Sequence, residues 1–225
     1  ACSGTAHDYS HCTPPGHPAT GDNRDSPASP ITMSEDRIRN VALRDRVVPA
    51  ATAAALIHPG QTVAMSGFTG SGYPKSVPQA LAARIEAAHA AGEAFQIRLL
   101  TGASTAPELD GALAKVDGIA LRLPFQSDPD ARRRINDGTL AYIDAHLSHV
   151  AQHAWFGFSG DTDVAVVEAV AIREDGSIVP STSVGNSKTW LDLAKHVIVE
   201  VNDWQPAGLE GMHDIYYGTA LPPHR

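Results

Sequence analysis

Ser66 to Lys75, reading SGFTGSGYPK, places three glycines in six positions: Gly67, Gly70 and Gly72. Glycines at that density let backbone N–H groups approach a ligand where a Cβ would intrude. A glycine-rich turn between a strand and a helix is where an α/β sheet receives an acyl, carboxylate or phosphate group. A phosphate-gripping loop needs Lys and then Ser or Thr directly after its last glycine. Here Tyr73 and Pro74 separate Gly72 from Lys75, so that geometry is broken. The dinucleotide fingerprint fails too, because Lys75 stands where its third glycine belongs. The turn is left with a role toward some other small molecule or a purely structural one.

Gly102-Ala103-Ser104-Thr105-Ala106 nearly matches the G-x-S-x-G nucleophile elbow, with Ala106 in place of the last glycine. A hydrolase built on Ser104 needs an Asp and a His, for which Asp161, Asp163 and His213 are the candidates. Otherwise Ser104 is a substrate-contacting hydroxyl or part of a plain turn. His146, His149 and His153 share a face if residues 145–154 are helical. With Asp144 they could hold a metal, or they form a solvated or subunit-facing stripe. Cys2, His7, His11, Cys12 and His17 have ligand chemistry but no surrounding fold, which is weak ground for a zinc site. Glu168 interrupts an apolar run, so it must be paired or functional. Val184-Gly185-Asn186-Ser187 is a second small polar turn, able to cap a helix or face a ligand.

The elements that must position these residues alternate along the chain. Glu35–Arg46 reads as an amphipathic helix, and Pro49 opens a short alanine-rich one over Ala50–Ile57. Strands are expected at Gln61–Met65, Phe95–Leu100, Ile119–Leu123, Asp163–Ile172 and His196–Val201. Ile178-Val179 pairs back after the turn Glu174–Ser177. Helices are expected over Val77–Ala91, Pro107–Gly118, Pro129–Asn136 and Lys188–Lys195. This order predicts an α/β fold: an open, mostly parallel sheet with helices on both faces. After Asn202 the alternation stops, and Asp203–Arg225 shows no convincing element.

Composition narrows the function classes. Aromatics are 6% of 225 residues, which suits helices on a buried sheet better than a β-sandwich. Net charge is −8 and the longest basic run is Arg132–Arg134, which argues against nucleic acid as a partner. No apolar stretch reaches membrane-spanning length and no signal pattern opens the chain, so the expected location is cytoplasmic, with no membrane partner. Residues 1–32 hold two large apolar residues, Tyr9 and Ile31, against five prolines and eight serines or threonines. They read as a disordered leader, not part of the native protein, with Met33 as the natural start. The body from Met33 onward contains no cysteine.

Five motifs now fall in a recognisable order: SGFTGSGYPK; LLTGAST; PFQSD followed by RRRIN; EDGSIVPSTSVGNS; and VIVEVNDWQ with EGMHDIY. From about Arg37 to Gly218 the chain resembles the amino-terminal domain of the acetyl-CoA hydrolase/transferase family, particularly its succinyl-CoA:acetate CoA-transferases. The resemblance implies a class I CoA-transferase of two related α/β domains, with a coenzyme A thioester as substrate and no bound cofactor. Its partners are small carboxylates such as acetate and succinate, and a homodimer is implied. In that family a glutamate attacks the acyl-CoA and becomes, by way of an acyl-glutamyl anhydride, a glutamyl-CoA thioester. Pre-placed N–H donors must stabilise the oxyanion formed at each step.

The nucleophile and most CoA contacts belong to the family's carboxy-terminal domain, which this chain is expected to lack or to receive from a second subunit. None of Glu168, Glu174, Glu200 and Glu210 matches the nucleophile's motif, so no catalytic residue is expected here and the chain alone is expected to be inactive. Residues 33–218 are read as the domain, and 219–225 as an aberrant or truncated end. By the resemblance and the expected topology, Gly67, Phe68, Thr69, Gly70, Ser71 and Gly72, with Gly102, Ala103 and Ser104, form the substrate-side wall. The alternatives are an acetyl-CoA hydrolase of the same family, a non-catalytic binding or scaffold domain, and a serine hydrolase using Ser104.

Overall fold

The computed structural model describes residues 37–104 and 106–215. The expectations for the leader 1–32, its Cys/His set, and the end 219–225 lie outside the described residues.

Seven strands form one sheet: β1 (Thr62–Ser66), β3 (Ile97–Leu100), β5 (Ile119–Leu123), β6 (Ala141–Tyr142), β7 (Val164–Ile172), β8 (Ile178–Pro180) and β9 (His196–Val201). Their order is β6-β5-β3-β1-β7-β8, with β9 also paired to β7. Only β7–β8 is antiparallel. A second, two-stranded parallel sheet joins β2 (Phe68–Thr69) to β4 (Ala103–Ser104). The helices are α1 (Val41–Arg44), α2 (Ala50–Ala54), α3 (Ser76–Ala90), α4 (Ala112–Lys115), α5 (Pro129–Asn136), α6 (Leu147–Trp155) and α7 (Ser187–Leu193). A π-turn, Pro107–Gly111, leads into α4, and Ala207–Leu209 is a single 3₁₀ turn. None of the described helices is long and apolar enough to cross a membrane.

Side chains alternate across a strand, and the sequence uses that alternation to build two different layers. Val63 and Met65 of β1, with Val164 and Val166 of β7, enter a core completed by Leu81 and Ile85 of α3 and Leu113 of α4. Between them, Ala64 and Ala165 face the other way and meet Val150 and Ala154 of α6 and Trp190 of α7. Small residues on that face leave room for the fully buried Trp190. With both faces covered, all nine residues of β7 are buried, which is why it reads as an unbroken apolar run.

The chain leaves β1 for β3, β5 and β6 on one side, then returns to place β7 on the other side of β1. β1 is therefore where the strand order reverses, and an open sheet of this kind forms its ligand crevice at the carboxyl ends of the strands at such a point.

One expected element is different. Over the described part of Glu35–Arg46 there is no long helix; Ile38 forms a parallel bridge with Ile172 of β7, and the α-helix there is the four-residue Val41–Arg44. The Arg39 amide donates to the Ile172 carbonyl at 2.9 Å, so the sheet edge overrides the helical periodicity. Residues after Asn202, expected to be featureless, are tied down: Arg37 donates to the carbonyls of Asp203 and Gln205, and Glu210 pairs with Arg39 and Arg173.

Candidate functional site

Three loops meet beyond the carboxyl end of β1. The first is Gly67–Lys75. Its start folds back on itself, with the amides of Phe68 and Ser71 donating to each other's carbonyls at 2.8 and 3.0 Å. The second, Thr101–Ala106, follows β3; Ala103 and Ser104 pair with Phe68 and Thr69, so the two expected groups of site residues lie strand against strand. The third, Ser181–Ser187, follows β8 and precedes α7. It is stitched to the first by side chains: Ser183 Oγ donates to the Ser71 carbonyl and Ser71 Oγ to Thr182 Oγ1, both at 2.7 Å. The Asn186 amide donates to Ser66 Oγ at 2.8 Å.

Two glycines make this packing possible. Gly72 has φ +63°, and a Cβ there would lie 2.6 Å from the Ser183 amide nitrogen. Gly185 has φ +51°, and its Cβ would overlap the Gly67 carbonyl oxygen. The third loop was legible as a polar turn, but its place in the site was missed. The β7–β8 hairpin, which reverses the chain, is what delivers it there.

The structure also explains why the glycine loop is no phosphate cradle. α3 begins at Ser76, and its N-terminus is already occupied. The Glu200 carboxylate of β9 accepts from the amides of Lys75, Ser76 and Val77 at 2.7, 3.0 and 2.9 Å. An anion at a helix N-terminus is favourable, and this one is built into the chain. Lys75 is engaged elsewhere: Nζ donates to the Tyr73 carbonyl at 2.8 Å and to Glu168 at 2.5 Å, and lies 4.2 Å from the centre of the Tyr73 ring. Glu168 is the paired alternative of the two expected for it. It is buried and also accepts from Ser181 Oγ at 2.5 Å and Asn202 Nδ2 at 3.2 Å. Tyr73 donates its hydroxyl to Glu108 at 2.8 Å. Burial, then that carboxylate, pushes the phenol well above its ordinary range, so it stays a donor.

The three loops thus present a backbone surface with hydroxyls, rimmed by Phe68, which is 54% exposed. Such a surface can bind a small acyl or carboxylate group through N–H and O–H donors. Residues 33–220 match the acetyl-CoA hydrolase/transferase N-terminal domain. The chain belongs to that family.

Among its relatives, the succinyl-CoA:acetate CoA-transferase of Clostridium kluyveri is 48% identical over 86% of this chain and 35% of its own length. The propanoyl-CoA:succinate CoA transferase of Escherichia coli is 43% identical over 77% of this chain and 35% of its own. An acetyl-CoA hydrolase of Schizosaccharomyces pombe is 37% identical over 86% and 38%. The chain therefore spans little more than a third of the length of these relatives. Glutaconate coenzyme A-transferase from Acidaminococcus fermentans shares the fold at a TM-score of 0.51 and 13% identity, covering 68% of each chain. RipA from Yersinia pestis does so at 0.56 and 21%, covering 73% of this chain and 38% of its own.

The other candidates are dispersed. Asp163 accepts from the Thr62 amide at 3.0 Å, at the start of β1, whereas Ser104 follows β3 at the opposite end of the sheet. That amide and Lys195 hold Asp163 below the usual carboxylate range. His213 is held at the Ser181 carbonyl. No Ser–His–Asp arrangement therefore forms around Ser104 with Asp163. The rings of His146, His149 and His153 follow one another with centroids 5.3 and 5.9 Å apart, tilted by 39° and 44°. Among the described residues no group of three or more His, Cys, Asp or Glu is placed to hold a metal ion. An open cleft of about 600 Å³, lined by Gly60, His89, Phe95 and Asp117, lies at the amino ends of β1 and β3, away from the three loops.

Proposed function

We propose that this domain forms the substrate-side wall of a CoA-transferase cleft. Gly67–Gly72 and Gly102–Ser104 contact the acyl or carboxylate group of small acids such as acetate and succinate. The nucleophilic glutamate comes from a carboxy-terminal domain or a second subunit. The observation that carries this reading is the pairing of the two glycine-bearing loops at the carboxyl end of β1, where the strand order reverses. In the reaction the glutamate carboxylate adds to the thioester carbonyl and CoA thiolate leaves, giving an acyl-glutamyl anhydride. Thiolate then attacks the glutamyl carbonyl and expels the first acid, and the acceptor carboxylate reverses both steps. The wall's contribution is to hold the acyl group in line and donate to the oxyanions.

The test uses the 225-residue chain alone and then combined with the carboxy-terminal remainder of the C. kluyveri relative. Acetate-dependent consumption of succinyl-CoA is expected only in the combination, and Gly67→Val is expected to abolish it. Robust turnover by the chain alone, or turnover unaffected by Gly67→Val, refutes the reading. Because hydrolases are among the relatives, the same assay without acetate distinguishes water as acceptor: CoA release at an undiminished rate favours an acetyl-CoA hydrolase.

A further inference from the structure

The π-turn Pro107–Gly111 touches both loops of the wall. Such turns insert one extra residue into a helical turn; here the Gly111 amide donates to the Ala106 carbonyl, five residues back, at 3.3 Å. Ala106, which ends the second loop, is held from both sides. Its carbonyl also accepts from the Leu109 amide at 3.1 Å, and its own amide donates to Asp110 Oδ2 at 3.2 Å. The other oxygen of Asp110 accepts from Arg122 Nε of β5 at 2.7 Å, and both side chains are fully buried. Arg122 Nη1 donates to the Leu123 carbonyl at 2.8 Å, and that carbonyl also accepts from the amide of Thr101, which starts the second loop. The second loop is thus gripped at its first and last residues. Two positions before Asp110, Glu108 accepts the hydroxyl of Tyr73 from the glycine loop.

We propose that this π-turn is a clamp that sets the spacing of the two loops, with Glu108 and Asp110 as its positioning residues. The proposal rests on the reading of those loops as the substrate-side wall. A buried ion pair adds little net stability compared with apolar residues of the same volume, so Asp110–Arg122 is better explained by the directional bonds it makes to loop backbone. Tyr73–Glu108 then transmits the position of one loop to the other.

The clamp is tested in the 225-residue chain by hydrogen–deuterium exchange over 66–75 and 101–106, with Tyr73→Phe, Glu108→Ala and Glu108→Gln. Tyr73→Phe removes only a hydroxyl and leaves the buried ion pair intact, so the fold is retained. Tyr73→Phe and Glu108→Ala are expected to speed exchange in both segments by about tenfold, as loss of one charged hydrogen bond permits. Glu108→Gln keeps an acceptor oxygen and is expected to restore protection to within about twofold of the parent. Faster exchange confined to 66–75, or no rescue by Gln, overturns the clamp. Exchange is read without substrate, so it decides the clamp whether or not the proposed function holds. In the active combination, Tyr73→Phe is expected to lower kcat about tenfold while KM for the acyl-CoA stays within about twofold. An unchanged kcat beside faster exchange in both segments upholds the clamp and refutes the wall.

Discussion

Replacing Glu200 by Ala removes the acceptor for three amides at the start of α3 and the negative charge beside its N-terminus. Loss of a side-chain cap costs about 1 kcal/mol, and loss of a favourable charge at that end a further ~0.3–1 kcal/mol. Lys75 and Val77 are only part-exposed at these bonds, so water restores them incompletely and the total comes to about 2 kcal/mol. For a domain of this size that is a fall in Tm of about 4–8 °C. Glu200→Gln keeps an acceptor and loses only the charge, so its fall is about 1–4 °C. The measurement is a circular-dichroism melt, paired with urea unfolding to check that the m-value is unchanged. A second arm adds inorganic phosphate. The vacated amides of Glu200→Ala form an anion site, so phosphate is expected to raise that variant's Tm by more than the parent's. A Glu200→Ala variant melting within about 1 °C of the parent, or equal phosphate responses, refutes the argument that the carboxylate is an internal anion.

Gly185→Ala forces a Cβ onto the Gly67 carbonyl at φ +51°; a loss of about 3 kcal/mol or more in urea unfolding is expected, above the ~1–2 kcal/mol of the left-handed conformation alone. Glu168→Leu leaves the Lys75 ammonium and the Ser181 hydroxyl without their acceptor and is expected to cost about 3 kcal/mol, at the lower end for a broken buried pair because Lys75 is partly solvated. Arg39 and then Arg173 hold Glu210 below its ordinary range. The stability it adds is therefore full above the ordinary glutamate pKa of ~4.3 and lost as pH falls through the lower folded value. The difference in Tm between the parent and Glu210→Gln should be flat from neutral pH to about pH 5 and vanish in stronger acid; a difference that grows on acidification contradicts the assignment.

Local signals placed most of the framework. Pro129 and Asn136 bound α5 as read, because Asp128 caps it by accepting from the amides of Asp130 and Ala131. The bounds of β5 and β9 also agree with the reading. What the sequence hid depends on contacts between distant residues. Ile38 leaves a helical pattern to pair with Ile172. Glu200 looks like any outward residue of an edge strand until β9 docks beside β7 and brings it to α3. The π-turn reads as the first turn of an ordinary helix, since a single extra residue does not disturb the apolar spacing of Leu109 and Leu113. Ser181–Ser187 carries no mark of the loop it will join.

Those separations also impose an order in time. Some of the glycine loop's partners are near in sequence, with Phe68 and Thr69 pairing with Ala103 and Ser104 and Tyr73 with Glu108. Others lie more than a hundred residues downstream: Thr182 and Ser183 for Ser71, and Glu200 for the first turn of α3. On a chain emerging from its amino end, SGFTGSGYPK is made early and can meet the second loop, but its helix stays uncapped and Gly185 is not yet seated against Gly67. The strands β1, β3 and β5 can pair first, because each lies within a few dozen residues of the next. The third loop and the cap of α3 are added last, when β7 enters beside β1 and β8 and β9 follow it. The cluster of three loops is then completed only on a sheet that has already passed its own test of register.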